Sequence, residues 1–114
     1  MLDQIQARDW DGTAALLAPD LVVEWVVTGE TFRGPENFVA VQREYPEGWN
    51  IEVLTVVSEG STVVSEIEVP QEGVGIFRGV SFWRVEEGLV VEGREYWSSP
   101  ASEDRPVWRA QYSS

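Results

Sequence analysis

The stretch from Val74 to Trp97, VGIFRGVSFWRVEEGLVVEGREYW, constrains the fold more than any other part of the chain. It reads as two long strands joined by a tight turn at Glu86-Glu87-Gly88. Alternation gives each strand two faces. Phe77, Gly79, Ser81 and Trp83 share one face of the first strand, and Gly93, Glu95 and Trp97 share one face of the second. The hairpin therefore ends on a carboxylate set among large aromatics. A chain of 114 residues has room for one core. Two strands of this length in so small a domain are expected to form a curved sheet around a pocket.

The upstream elements favour an antiparallel sheet with helices gathered at one end. Leu2 and Ile5 are three apart, as on one helix face. A second helix is expected over 12–17, capped by Asp11. Leu21 to Val27 reads as a strand, Thr28-Gly29-Glu30 as a turn and Thr31-Phe32-Arg33 as a short return strand. Pro35 then opens a third helix, with Phe38, Val41 and Tyr45 on one face, and Pro46-Glu47-Gly48 ends it. Strands are expected over 51–58 and 62–69, the second broken by Pro70. After Trp97 come a loop over 98–104 and a short tail with Trp108 and Tyr112. Runs of helix followed by runs of strand define an α+β domain, expected to span residues 1–114.

Composition removes whole classes of function. The formal net charge is −12, with eight basic residues, all Arg, against twenty acidic ones. Phosphate neutralisation needs clustered cations, so nucleic acid is not an expected partner. The same charge opposes docking on an anionic membrane, and no apolar run is long enough to span one. The chain opens without a basic, apolar leader, and a cytoplasmic location is expected. Without Cys or His there is no disulfide, no thiolate or imidazole metal site and no histidine base. Without Lys there is no Schiff base. No metal or cofactor is expected, and acid–base work falls to Asp, Glu and Tyr.

The helix pair, the run APDLVVEWVVTGETFRGPENF, the meander and the closing GLVVEGREYW resemble the SnoaL-like branch of the nuclear-transport-factor-2-like superfamily. The resemblance spans about residues 1–97 and is most specific from Thr28 to Phe38. It implies a cone-shaped, barrel-like α+β fold: a strongly curved, mainly antiparallel sheet wrapped on N-terminal helices, with an internal pocket. It also implies a homodimer formed through the outer sheet face. Similar proteins begin with a longer first helix, which leaves open whether one pocket wall is shorter here. Glycines at 79 and 93 would permit the bend such a sheet needs. The superfamily hosts isomerases, cyclases, hydrolases, dehydratases and plain binders, so the fold alone does not name a reaction.

By resemblance, Ser81, Trp83, Glu95 and Trp97 face the pocket. Glu95 is the candidate catalytic group, because a carboxyl among tryptophans has its pKa raised by desolvation. Solvation at the rim, or pairing with an Arg, is the competing role. Trp25, Tyr45, Ser81, Trp83 and Trp97 are the candidate ligand-binding residues. The isomerase branch would place its base at Trp25, its acidic oxyanion donor at Ser81 and its tyrosine near Met1. All three are missing, so that machinery is not expected. Trp25 and Tyr45 also suit plain core packing. Asn37 suits a capping role. Glu24, Glu66 and Glu68 are expected on the outer face, where Arg78 and Arg84 would pair with Glu66 and Glu68. Trp108 and Tyr112 are expected to anchor the tail on the domain or on a partner subunit.

Three readings stay open. The chain is an acid–base enzyme acting on a small, uncharged hydrophobic molecule, a non-catalytic binder of such a molecule, or an interaction module.

Overall fold

The computed structural model describes residues 1–100 and 105–113. Helices α1 (Leu2–Gln6) and α2 (Trp10–Ala14) lead into strand β1 (Leu17–Trp25), followed by β2 (Glu30–Arg33) and helix α3 (Pro35–Glu44). Four strands complete the sheet: β3 (Glu52–Glu59), β4 (Thr62–Gln71), β5 (Gly75–Glu86) and β6 (Leu89–Ser98). A short 3-10 helix, Val107–Tyr112, closes the described chain. The sheet order is β2-β1-β6-β5-β4-β3. Every pairing is antiparallel except β1 with β6. The sheet is open, with β2 and β3 as free edges, so the fold is a curved α+β cone and not a closed barrel.

Local chemistry explains the junctions. Glu87 and Gly88 both take positive φ, 51° and 79°, as a two-residue hairpin turn of this twist requires. Gly34 at φ 84° starts α3, and Pro35 follows at its first turn. The second helix starts at Trp10, earlier than the expected 12, because Asp9 and not Asp11 accepts the hydrogen bond from the Gly12 N–H. Strand β1 starts at Leu17, before the expected Leu21, since Leu17 pairs with Val90 across a register shift. Pro70 does not end β4, which continues to Gln71; antiparallel pairing alternates hydrogen-bonded and non-bonded positions, and Pro70 sits opposite Ile76 without breaking the ladder. The loop expected over 98–104 lies partly outside the described residues. Ser98 itself belongs to β6.

The core lies between the concave face of the sheet and the helices. Ile5, Leu17, Leu21, Val23, Phe38 and Trp83 are among its buried members. Phe38 of α3, which packs on β1 and β2, meets Trp83 of β5 edge-on, with ring centroids 6.2 Å apart. Among the described residues, no helix is long and apolar enough to cross a membrane. On the convex face Arg78 pairs with Glu68 as expected. Arg84 departs from expectation. It pairs with Glu86 and Glu92, because its neighbours across β4 and β6 are Thr62 and Glu92.

Candidate active site

Sheet register builds the site. Ser81 of β5 lies opposite Glu95 of β6, which lies beside Trp25 of β1, which pairs with Glu30 of β2. One inward row across four strands therefore reads Ser81, Glu95, Trp25, Glu30. Ser81 Oγ donates to Glu95 Oε1 at 2.7 Å, and Trp25 Nε1 donates to Glu95 Oε2 at 2.8 Å. Each carboxylate oxygen is thereby held by a different neighbouring strand. Glu95 is 5% exposed and is the one acidic or basic side chain among the described buried residues.

Burial raises the pKa of Glu95 above the ordinary carboxyl range. Ser81 and Trp25 act in the opposite direction, since donors favour the charged form. Desolvation is the larger effect. The carboxyl is thus held in a fixed orientation with its proton affinity increased.

The next rows explain the tryptophans and the glycines together. Gly93 pairs with Trp83, and Gly79 pairs with Trp97. A Cβ on Gly93 would stand 2.5 Å from the Trp83 ring, and one on Gly79 would stand 2.8 Å from the Trp97 ring. Neither glycine has a positive φ. Their role is to let an indole lie across the neighbouring strand, which adds to the expectation that they serve bending. Trp83 Nε1 then donates to Ser65 Oγ at 3.1 Å, satisfying its polar edge inside the sheet.

These side chains bound a cavity of about 930 Å³. Trp25, Trp49, Trp83, Trp97 and Glu95 line it, with Tyr45 at the end of α3. Tyr45 is 39% exposed, so it stands at the rim. Ser81 is 1% exposed and is not part of the wall; it supports Glu95 from behind instead of meeting a ligand directly. Asn37 is exposed, lies outside the cavity and donates to the Arg33 carbonyl. Glu24 is exposed, on the opposite side of β1 from Trp25.

Two contributors escaped the sequence reading. Glu30, assigned to a turn, reaches the cavity rim because its strand pairs with β1. Arg8 has φ 60° and donates to the carbonyls of Gln6 and Trp49 at 2.9 and 2.6 Å. Its guanidinium lies 3.5 Å from the Trp49 ring centroid and also pairs with Glu47 at 2.9 Å. That pairing lowers the Glu47 pKa. Arg8 thus fastens the end of α1 to the segment carrying Trp49, a cavity-lining residue. A positive charge directly before an Asp-Trp pair gives no periodic signal by which to find this. Among the described residues, no group of three or more Asp or Glu side chains is placed to hold a metal ion.

The SnoaL-like domain profile matches residues 1–93. The chain belongs to the SnoaL-like domain family. No curated protein matches it. Among solved structures it is similar to a putative ketosteroid isomerase from Kribbella flavida, at 26% identity and TM-score 0.89, over 99% of this chain and 82% of that one. It is also similar to an LEH-like epoxide hydrolase from M. tuberculosis, at 22% identity and TM-score 0.71, over 85% and 76% of the two chains. A third is IdmH from Streptomyces antibioticus, a putative polyketide cyclase, at 18% identity and TM-score 0.74, over 85% and 86%. The last two likenesses concern the fold alone.

Proposed function

We propose that this SnoaL-like chain binds a small, uncharged hydrophobic molecule in the cavity and that Glu95 exchanges a proton with it. The reaction class is that of a cyclase, isomerase or hydrolase. One observation carries the reading: a buried carboxyl of raised proton affinity, oriented by Ser81 and Trp25, on the wall of an aromatic cavity. The protonated form donates to a ligand oxygen, and the ionised form withdraws a proton from carbon or water. Trp25, Trp83 and Trp97 supply flat apolar walls for a ring system. Trp25 and Ser81 occupy positions where the isomerase branch would carry its own acids. Here both donate to Glu95, so the proton transfer centres on a different residue.

The test is a thermal-shift series on the whole chain with hydrophobic ring compounds at about pH 5 and about pH 8, on wild type and Glu95→Gln. Stabilisation that depends on pH in the wild type, and not in Glu95→Gln, supports the reading. Stabilisation unchanged by Glu95→Gln and by pH makes the chain a binder without acid–base chemistry. No shift from any compound removes the cavity as the functional site.

We further propose that the convex sheet face forms a homodimer. Its middle rows carry Val57, Val64, Val80, Phe82 and Tyr96, and the ion pairs of Arg78 and Arg84 lie to either side. Val80→Glu is expected to yield a monomer in light scattering, and an unchanged molar mass would exclude this face.

A further inference from the structure

The charged side chains of the cavity wall are of one sign. Among the described residues, Glu95 and Glu30 line it and no Arg does, and the chain has no Lys or His. Tyr45 is the remaining titratable side chain of the wall. Arg8 lies over Trp49 but does not itself line the cavity, and Glu47 and the Trp49 carbonyl hold its guanidinium. The other polar side chains of the wall are neutral hydroxyls and amides, and Gln71 spends its amide on the Pro46 carbonyl at 3.1 Å.

The tryptophans offer their faces. The N–H of Trp25 is spent on Glu95 and that of Trp83 on Ser65. A Cβ on Gly79 would stand 2.8, 2.9 and 2.9 Å from three consecutive atoms of the Trp97 six-membered ring. Such even distances put the glycine under the face of the ring and not at its edge. One face of this indole therefore lies on the sheet, and the other turns toward the cavity that Trp97 lines. The face of an indole is the negative part of its quadrupole and attracts a cation. The Nε1 atoms of Trp49 and Trp97 are buried without a partner. They are neutral donors, so an oxyanion that drew them out would gain hydrogen bonds and no opposing charge.

These features separate the two directions of proton transfer. When Glu95 gives up its proton, the carboxylate left behind keeps Ser81 on Oε1 and Trp25 on Oε2. The cation formed on the ligand then meets that carboxylate and the indole faces. When Glu95 takes a proton, the anion formed on the ligand meets no cationic side chain and shares the cavity with Glu30. Exclusion of water strengthens both effects.

We infer that Glu95 donates its proton to the ligand, and that the ligand is an uncharged ring compound whose ring nitrogen or ether oxygen becomes a cation in the cavity. This rests on the function proposed above and chooses the direction of its proton transfer. The Glu95 O–H bond breaks and leaves its electron pair on the carboxylate. A lone pair of the ligand heteroatom forms the new bond to hydrogen. Return of the proton restores both partners, so no co-reactant is needed.

Bicyclic probes of one shape test this on the whole chain: naphthalene, isoquinoline and 2-naphthol. Naphthalene has no group to titrate and reports cavity filling alone, as a rise in Tm. Isoquinoline and 2-naphthol change their near-ultraviolet absorption when they gain or lose a proton. Bound isoquinoline is expected to protonate about one pH unit above the free molecule, a gain of about tenfold in proton affinity, as a carboxylate within a few ångström implies. Bound 2-naphthol should stay neutral to a higher pH than the free molecule. Glu95→Gln should abolish the isoquinoline shift and still bind naphthalene, which shows that the cavity survives the substitution. Trp25→Phe keeps an aromatic ring, removes one donor to the carboxylate and should reduce the shift, so the inference stays testable if Glu95→Gln does not fold. An isoquinoline midpoint unmoved by binding, with naphthalene still bound, would overturn the inference and leave the cavity as a binding site. Ionisation of bound 2-naphthol at a lower pH than the free molecule would also overturn it, and would make Glu95 a base with Trp49 and Trp97 as donors. A shift retained in Glu95→Gln would remove Glu95 as the source of the proton. Binding of none of the probes would overturn the inference together with the function on which it rests.

Discussion

The β5–β6–β1 centre and the β3 edge are built from similar residues and treated in opposite ways. In the centre, Val23, Trp83 and Glu95 are each no more than 5% exposed, and the polar atoms of Glu95 and Trp83 find partners on neighbouring strands. At the edge, Val56 and Val57 are more than half exposed and touch one neighbouring strand. The difference is one of position in the sheet. A central strand meets side chains from both sides and from the helices above, whereas an edge strand beyond the helical layer has a neighbour on one side only. Burial raises the proton affinity of Glu95, and the lack of it leaves the valines of β3 in solvent.

Substitutions can sharpen or break this contrast. Trp83→Ala should have the largest effect, a loss of about 3–5 kcal/mol, because it empties core volume and strips Ser65 of its donor. Urea unfolding would measure it, and a loss below about 1 kcal/mol would show the centre to be loosely packed. Gly93→Ala comes next, at about 1–3 kcal/mol, since the new methyl meets the Trp83 ring and the sheet must spread. A neutral result would mean that Trp83 has another place to lie.

The pH dependence of Glu95 follows in size. Its folded pKa is raised, so the folded state holds the proton more tightly than the unfolded state. That contribution is fully present below the unfolded carboxyl pKa and is lost as pH rises through the folded value. Wild type should therefore lose stability relative to Glu95→Gln as pH rises from the acid range, read as a change in the Tm difference between the two. A constant difference would place Glu95 in a solvated setting. The smallest effect belongs to the edge. Val56→Thr should leave folding stability within about 0.5 kcal/mol, and a larger loss would mean that the edge is covered within its own chain.

Much of the architecture was legible because it is local. Alternation located β5 and β6, the positive-φ positions Glu87 and Gly88 fell in the expected turn, and Pro35 marked the start of α3. Alternation and the family resemblance together singled out Glu95, Trp25, Trp83 and Trp97, and all four line the cavity. Misreadings gathered where a distant partner decides. Strand β1 runs back to Leu17 because Val90 pairs with it, β4 runs through Pro70 because Ile76 stands opposite, and Arg84 answers to Glu92.

By itself the sequence determined a cysteine-free, histidine-free α+β chain with one carboxylate among tryptophans, since composition and two-residue periodicity are properties of neighbours along the chain. Only the tertiary structure decided what that carboxylate meets. Trp25 and Glu95 are 70 residues apart and are joined by the single parallel pairing in the sheet. That pairing brings Trp25 into the row that the β5–β6 hairpin makes of Ser81 and Glu95, and no local pattern encodes it, because register between distant strands is set by the packing of the whole core.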